Sequence, residues 1–149
     1  MRDTSAPVGS SLPRTIGRVT LGLLLLFTGV GHLTFGREAF TAQVPDWLPV
    51  ADDLVVVGSG VAELALGTAL IALPRHRVAV GWIVAGFFVA IFPGNVSQYV
   101  NHVDAFGLTS DVARAVRLVF QPILVLWALW STGAWRDRGT LRSVASRRR

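Results

Sequence analysis

Residues 19–36 read VTLGLLLLFTGVGHLTFG, 18 consecutive positions without a formal charge between Arg18 and Arg37. A helix rises about 1.5 Å per residue and a bilayer's hydrocarbon is about 30 Å thick, so this window has the length of a transmembrane span. A helix buried in a soluble bundle would carry a polar stripe at the helical period, and Val19 to Val30 shows almost none. A cleaved signal peptide is the other reading of an apolar core preceded by Arg14 and Arg18. No small-x-small cleavage site follows Phe27 and the apolar stretch continues past Val30, so the segment is read as a retained span.

The same exclusion of charge recurs three times. LVVVGSGVAELALGTALIALP (54–74) is interrupted only by Glu63, a window of 26 residues from 78 to 103 begins VAVGWIVAGFFVAIFPGN, and LVFQPILVLWALWSTGAW occupies 118–135. The fold class expected is all-α, an integral membrane four-helix antiparallel bundle, with spans near 16–35, 54–73, 78–100 and 112–133. An N-terminal tail (1–15) and a basic C-terminal tail (134–149) flank it. The composition agrees: 52% of the 149 residues are apolar and 15% charged, where a soluble domain carries about 25% charged. The absence of cysteine excludes a disulfide scaffold, zinc-thiolate sites and thiol chemistry. Four spans leave roughly 70 positions for everything else, too few for a separate catalytic domain.

Arginine sets the orientation. All 14 cations are arginine, a usage that points to a GC-rich bacterial genome, and 11 of them lie in the N-terminal tail, the loop around Arg75 and Arg77, and the C-terminal tail. The other two loops hold Arg37, Arg114 and Arg117 among six acids. The positive-inside rule then puts both termini in the cytoplasm of a multi-pass protein of the bacterial cytoplasmic (inner) membrane. Trp82, Trp127, Trp130 and Trp135 mark the cytoplasmic interface, and the tail LRSVASRRR reads as a disordered segment near anionic headgroups. Nucleic-acid binding is not expected of it.

Helices in lipid approach closely through small side chains, which nominates Gly29 in the first span and Gly60 and Gly67 in the second as packing positions. Pro93 and Pro122 each remove a helical donor and bend their spans; such breaks either line a cavity or serve packing alone. The first outer loop, with Phe35, Phe40, Val44, Trp47, Leu48 and Val50, is too apolar for a solvated linker and is expected to lie along the interface or cap the bundle.

Six polar side chains remain inside the spans: His32, Glu63, Asn95, Gln98, Arg117 and Gln121. A charged group at mid-bilayer costs about 2.5 to 3.5 kcal/mol, so these face inward and find partners. All six fall in the outer half of the bundle, contributed by four helices, which argues for a shared ligand-binding or polar core site. Glu63 is either a neutral donor or ionised beside Arg117 or His32; a hydrogen bond to Gln121 that locks the bundle is the structural alternative. His32 beside Glu63 and Arg117 would suit proton handling or a quinone carbonyl, which needs a donor that also transfers protons. No metal site is expected, because no pair of histidines has ligand spacing. No catalytic residue is assigned, since nucleotide loops and nucleophile-and-base pairs are absent.

GVGHLTF (29–35), PDWLP (45–49), SGVAELALGTALI (59–71), FPGNVSQYV (92–100) and RLVFQPILVLWAL (117–129) together resemble the DoxX-like family of small bacterial membrane proteins. The resemblance spans about residues 15–132 and rests on the order and spacing of short motifs. It implies a four-helix membrane bundle and, as in some members, association with quinone-linked redox systems. His32, Pro45, Pro49, Glu63, Gly67, Pro93, Asn95, Arg117 and Gln121 stand at the family's recurrent positions, as site residues without a named catalytic set. The function expected is a membrane-embedded subunit or accessory protein of a quinone-linked system, with quinone as the candidate cofactor. The partners expected are the bilayer and a membrane or soluble redox protein, with self-association left open. The competing readings are a structural or assembly protein without a ligand and a small proton-coupled transporter. The latter is disfavoured because no inverted repeat relates the two halves. A proton-shuttling isomerase acting on a sterol-like substrate is a further reading.

Overall fold

A computed structural model describes residues 11–136 except 106 and 108. The order of elements is α1 (Leu12–Leu33), α2 (Arg37–Thr41), α3 (Asp52–Ala72), a 3-10 turn (Pro74–His76), α4 (Arg77–Val100) and α5 (Asp111–Thr132). Four helices are long and apolar enough to cross a membrane, and the chain is an all-α, multi-pass four-helix bundle. The tails at 1–10 and 137–149, including the basic LRSVASRRR, lie outside the described residues.

Local chemistry explains the ends. α1 begins at Leu12, earlier than the expected 16, because Pro13 in the first turn has a preset φ and no helical donor to lose. Ser110 caps α5 by accepting a hydrogen bond from the Ala113 amide at 3.2 Å. Gly133, at φ +71°, ends that helix in a left-handed turn that suits glycine. α4 and α5 continue through Pro93 and Pro122 without a break in helical assignment.

α1 and α3 pack antiparallel through two facing glycine pairs. A Cβ on Gly67 would lie 2.7 Å from the Gly22 carbonyl oxygen, and one on Gly29 would lie 2.9 Å from the Gly60 carbonyl oxygen. Within each helix the two glycines are seven residues apart, two turns, so both lie on one face. At Gly29 and Gly67 the first obstacle to a side chain is backbone, which cannot swing aside; at Gly22 it is the Ile71 side chain at 2.7 Å, with the Gly67 carbonyl oxygen close behind at 3.0 Å. At the end of α3, Pro74 has no N–H to offer the Leu70 carbonyl, and Arg18 of α1 donates its Nη1 to that oxygen instead. Arg18, read from the sequence as an orientation charge, is 5% exposed and caps the neighbouring helix. A cation at a helix C-terminus also suits the helix dipole.

One end of the bundle contains the Pro74–His76 turn and the described chain ends; it is called here the terminal end, and the opposite one the loop end. Leu21, Leu25, Leu70, Val84, Phe88, Ala128 and Leu129 form one buried cluster toward the terminal end. There α1 meets α5 directly: Trp127 donates its indole N–H to the Gly17 carbonyl at 3.0 Å, and Gly17 leaves room for the Trp130 ring. Large apolar side chains point the other way. Phe27, Ile83, Val119 and Leu126 are each at least 60% exposed, which water would oppose and hydrocarbon accommodates.

Replacing Gly22 or Gly67 with Ala should lower the thermal unfolding midpoint in mild detergent by several degrees, the usual scale for overpacking by about 1–3 kcal/mol. Gly58 and Gly86, beside which an added Cβ meets nothing within 4 Å, should tolerate Ala unchanged or gain slightly from its better helix propensity. Arg18→Leu should also lower the midpoint, by leaving the Leu70 carbonyl buried without a donor. Circular dichroism melts of the five variants check all three statements.

Candidate functional site

At the loop end the two tight pairs, α1 with α3 and α4 with α5, diverge around a cavity of about 850 Å³. Thr28, His32, Ser59 and Glu63 lie on one wall, Phe88, Asn95, Arg117 and Gln121 on the other, and Phe40, Gln43, Val44 and Trp47 form the roof. The roof contains α2, a helix not anticipated from the sequence, and Gly94 of α4 lets the Gln43 backbone come close. The apolar loop thus caps the bundle. An Arg37–Asp53 ion pair ties its start to the beginning of α3. Lining residues Leu54, Val116 and Phe120 are more than half exposed, so the cavity also reaches the outer flank of the bundle.

The first wall holds a carboxylate–imidazole pair. Side chains on a helix lean toward its own N-terminus. His32 follows Gly29 by three residues and Glu63 follows Gly60 by three, so both lean back toward the same glycine contact and meet there. Gly60 is the seat: a Cβ on it would stand 2.8 Å from the His32 Cβ. His32 Nδ1 lies 2.8 Å from Glu63 Oε2 and 3.0 Å from the Thr28 carbonyl oxygen. The carboxylate oxygen is close but out of line for a hydrogen bond, so with the proton on Nδ1 the Thr28 carbonyl is the acceptor. With Nδ1 facing two oxygens, Nε2 is the nitrogen available to a ligand. The Phe40 ring of the roof stacks on the imidazole, centroids 3.4 Å apart at 16°.

The second wall is a chain of amides anchored by a guanidinium. Arg117 Nε donates to Asn95 Oδ1 at 3.1 Å, Asn95 Nδ2 donates to Gln121 Oε1 at 2.9 Å, and Gln121 Nε2 donates to the Phe88 carbonyl at 2.6 Å. Arg117 Nη2 reaches the roof at Gln43 Oε1, 2.9 Å away. Arg117 and Gln121, four residues apart, share a face of α5 and meet Asn95 of α4 from it. Every amide oxygen in this chain accepts, which fixes its orientation.

Five of the six polar residues singled out from the sequence line the cavity: His32, Glu63, Asn95, Arg117 and Gln121. Gln98 does not. It is 1% exposed but turns to the α4–α5 connection, where its Nε2 donates to the Val103 carbonyl at 3.4 Å. The considered Glu63–Gln121 hydrogen bond is not formed, because Gln121 is spent on Asn95 and Phe88. Pro93 lines the cavity and Pro122 faces outward. Gly29, Gly60 and Gly67 lie at the α1–α3 contact.

Sequence reasoning missed three residues. Gln43 follows the short α2 in a segment without periodicity, Phe40 is named in the sequence only as part of the apolar loop and not for its contact with His32, and Arg114 is counted there as an orientation charge. Arg114 is 5% exposed and binds Asp104, Asp111 and the Val103 carbonyl, pinning the α4–α5 connection. The spacing of Asp111 and Arg114, one helical turn apart, was the available signal. Among the described residues no group of three or more His, Cys, Asp or Glu is assembled for a metal ion.

No curated protein and no solved structure matches the chain. Residues 21–132 match the family model described as a domain of unknown function, DUF8561, and this segment takes in every residue lining the cavity. With most of its length so matched, the chain belongs to the DUF8561 family.

Proposed function

We propose that this chain is a DoxX-like subunit or accessory protein of a quinone-linked redox system in the bacterial cytoplasmic membrane, with both termini in the cytoplasm and the cavity in the outer half of the bilayer. The observation that carries this reading is a cavity of about 850 Å³ with His32–Glu63 on one wall and Arg117–Asn95–Gln121 on the other. Its volume and mainly apolar lining, with a few convergent polar groups, suit a lipid-soluble ring compound.

A quinone ring carries carbonyl oxygens on opposite sides. The cationic Arg117 offers a donor on one side, and His32 Nε2, when the ring is protonated, offers one on the other. Reduction to the quinol takes two electrons and two protons. His32, its Nδ1 facing the Thr28 carbonyl and the Glu63 carboxylate, is suited to exchange one of the protons at Nε2. The electrons come from a redox partner, membrane-bound or soluble, and the chain's own part is to hold and orient the ring. Entry from the lipid past Leu54, Val116 and Phe120 suits a ligand that partitions into the bilayer.

The test is the ligand inventory of protein purified in mild detergent. Quinone should co-extract from the wild type and fall at least about tenfold in Glu63→Gln and His32→Leu, the scale of one charge-assisted hydrogen bond. Added quinone should also quench tryptophan fluorescence, and Trp47→Phe should remove most of the quenching, because Trp82, Trp127, Trp130 and Trp135 stand toward the terminal end. An extract without quinone and fluorescence indifferent to it would overturn the reading. Retention of a protein partner by Glu63→Gln, with no small molecule bound, would put an assembly role in its place.

Orientation has a separate test. The chain has no cysteine, so single substitutions report cleanly: Asp46→Cys should react with an impermeant maleimide on intact spheroplasts, and Ser146→Cys only after lysis. The reverse pattern would invert the topology.

A further inference from the structure

A second site lies at the terminal end, away from the cavity. A groove of about 340 Å³ there is lined by residues from both ends of the chain's membrane domain. Arg14, in the first turn of α1, and Arg136, just past α5, stand on it. Trp130 and Trp135 frame it, and Leu126 and Leu129 continue its floor down into the span. Gly133 makes the convergence possible: its left-handed turn, φ +71°, brings the chain after α5 back over the helix end, where Trp135 and Arg136 reach the groove. Trp130 is held by its contact with Gly17 of α1. Arg14 makes no hydrogen bond or ion pair among the described residues.

We propose that this groove binds the headgroup of an anionic phospholipid, the phosphate taken by Arg14 and Arg136 and the first acyl segment laid on Leu126 and Leu129. Charge complementarity selects the occupant. Two guanidiniums at the depth of the membrane interface attract a phosphodiester, and a zwitterionic headgroup, whose ammonium offsets the phosphate and is repelled by the arginines, is bound less well than an anionic one. Indole rings at the same depth suit the boundary between headgroup and glycerol. The apolar floor requires a chain to cover it, so the lipid is preferred over free phosphate. This inference needs the four helices to span a bilayer and is independent of what occupies the cavity.

The experiment compares the full-length wild type with an Arg14→Gln, Arg136→Gln double variant by native mass spectrometry, after equal exposure to phosphatidylglycerol or phosphatidylcholine. Both proteins keep the arginine-rich segment beyond residue 136, so the difference between them reports the groove. Each arginine near the surface contributes about fivefold to binding, so retained phosphatidylglycerol should fall about 25-fold in the variant, with phosphatidylcholine unchanged. Should the variant fail to fold, the wild type alone decides: phosphatidylglycerol brominated near the top of its acyl chains should quench Trp130 and Trp135 more than the matching phosphatidylcholine, and less at high salt. Equal retention of the two lipids, undiminished phosphatidylglycerol in the folded variant, equal quenching, or displacement of the retained phosphatidylglycerol by an equal concentration of inorganic phosphate would each overturn the proposal.

Discussion

The close approach of α1 and α3 is the contact on which the rest depends. Lipid is as apolar as leucine, so two helices in a bilayer gain little by burying leucine against each other, and their association rests on how near the backbones come. Gly22 against Gly67 and Gly29 against Gly60 allow that approach. The second pair does more than close the gap. It leaves a floor on which the His32 Cβ rests and brings the imidazole against Glu63, so helix packing and the chemistry of the first wall share one cause. Phe40 then closes over the ring from the roof.

The two ends of the bundle answer the same solvent differently. The terminal end is filled with leucine, valine, alanine and phenylalanine, and Arg18, its one buried charge among the described residues, satisfies the carbonyl that Pro74 leaves open. At the loop end the helices spread, and the side chains there are amides and charges whose partners must be other protein groups. Asn95, Gln121 and Arg117 therefore form a relay that ends on a backbone carbonyl of α4 at one side and on Gln43 of the roof at the other. A cavity with polar walls persists because its groups are already bonded to one another and do not need to collapse together.

Much of this was legible in the chain, for an identifiable reason. Exclusion of charge from windows of membrane length is a local property, and it located four spans to within a few residues. His32, Glu63, Asn95, Arg117 and Gln121 stood out because apolar helices in lipid have no use for them, and all five line the cavity. Gln98 met the same criterion yet serves the α4–α5 connection. Arg18 was hidden because a cation near the cytoplasmic end of a span is what the expected orientation already requires, and Arg114 because a charge at the very start of a span carries no cost that would single it out. The contacts of Phe40 and Gln43 were hidden because a five-residue helix and the turn after it are too short to show a period from which a direction can be read.

The sequence by itself determined the solvent, the number of spans, their antiparallel order and which polar residues would have to face inward, since each follows from composition within a window and the cost of charge in hydrocarbon. Only the tertiary structure decided the pairing: His32 with Glu63 and not Glu63 with Gln121, Arg117 with Asn95 and Gln43, Arg18 with the end of α3. A partner is chosen by the rotation and axial register of two helices and by the path of a loop. Those are set by backbone contacts between residues far apart in the chain, which no local pattern encodes.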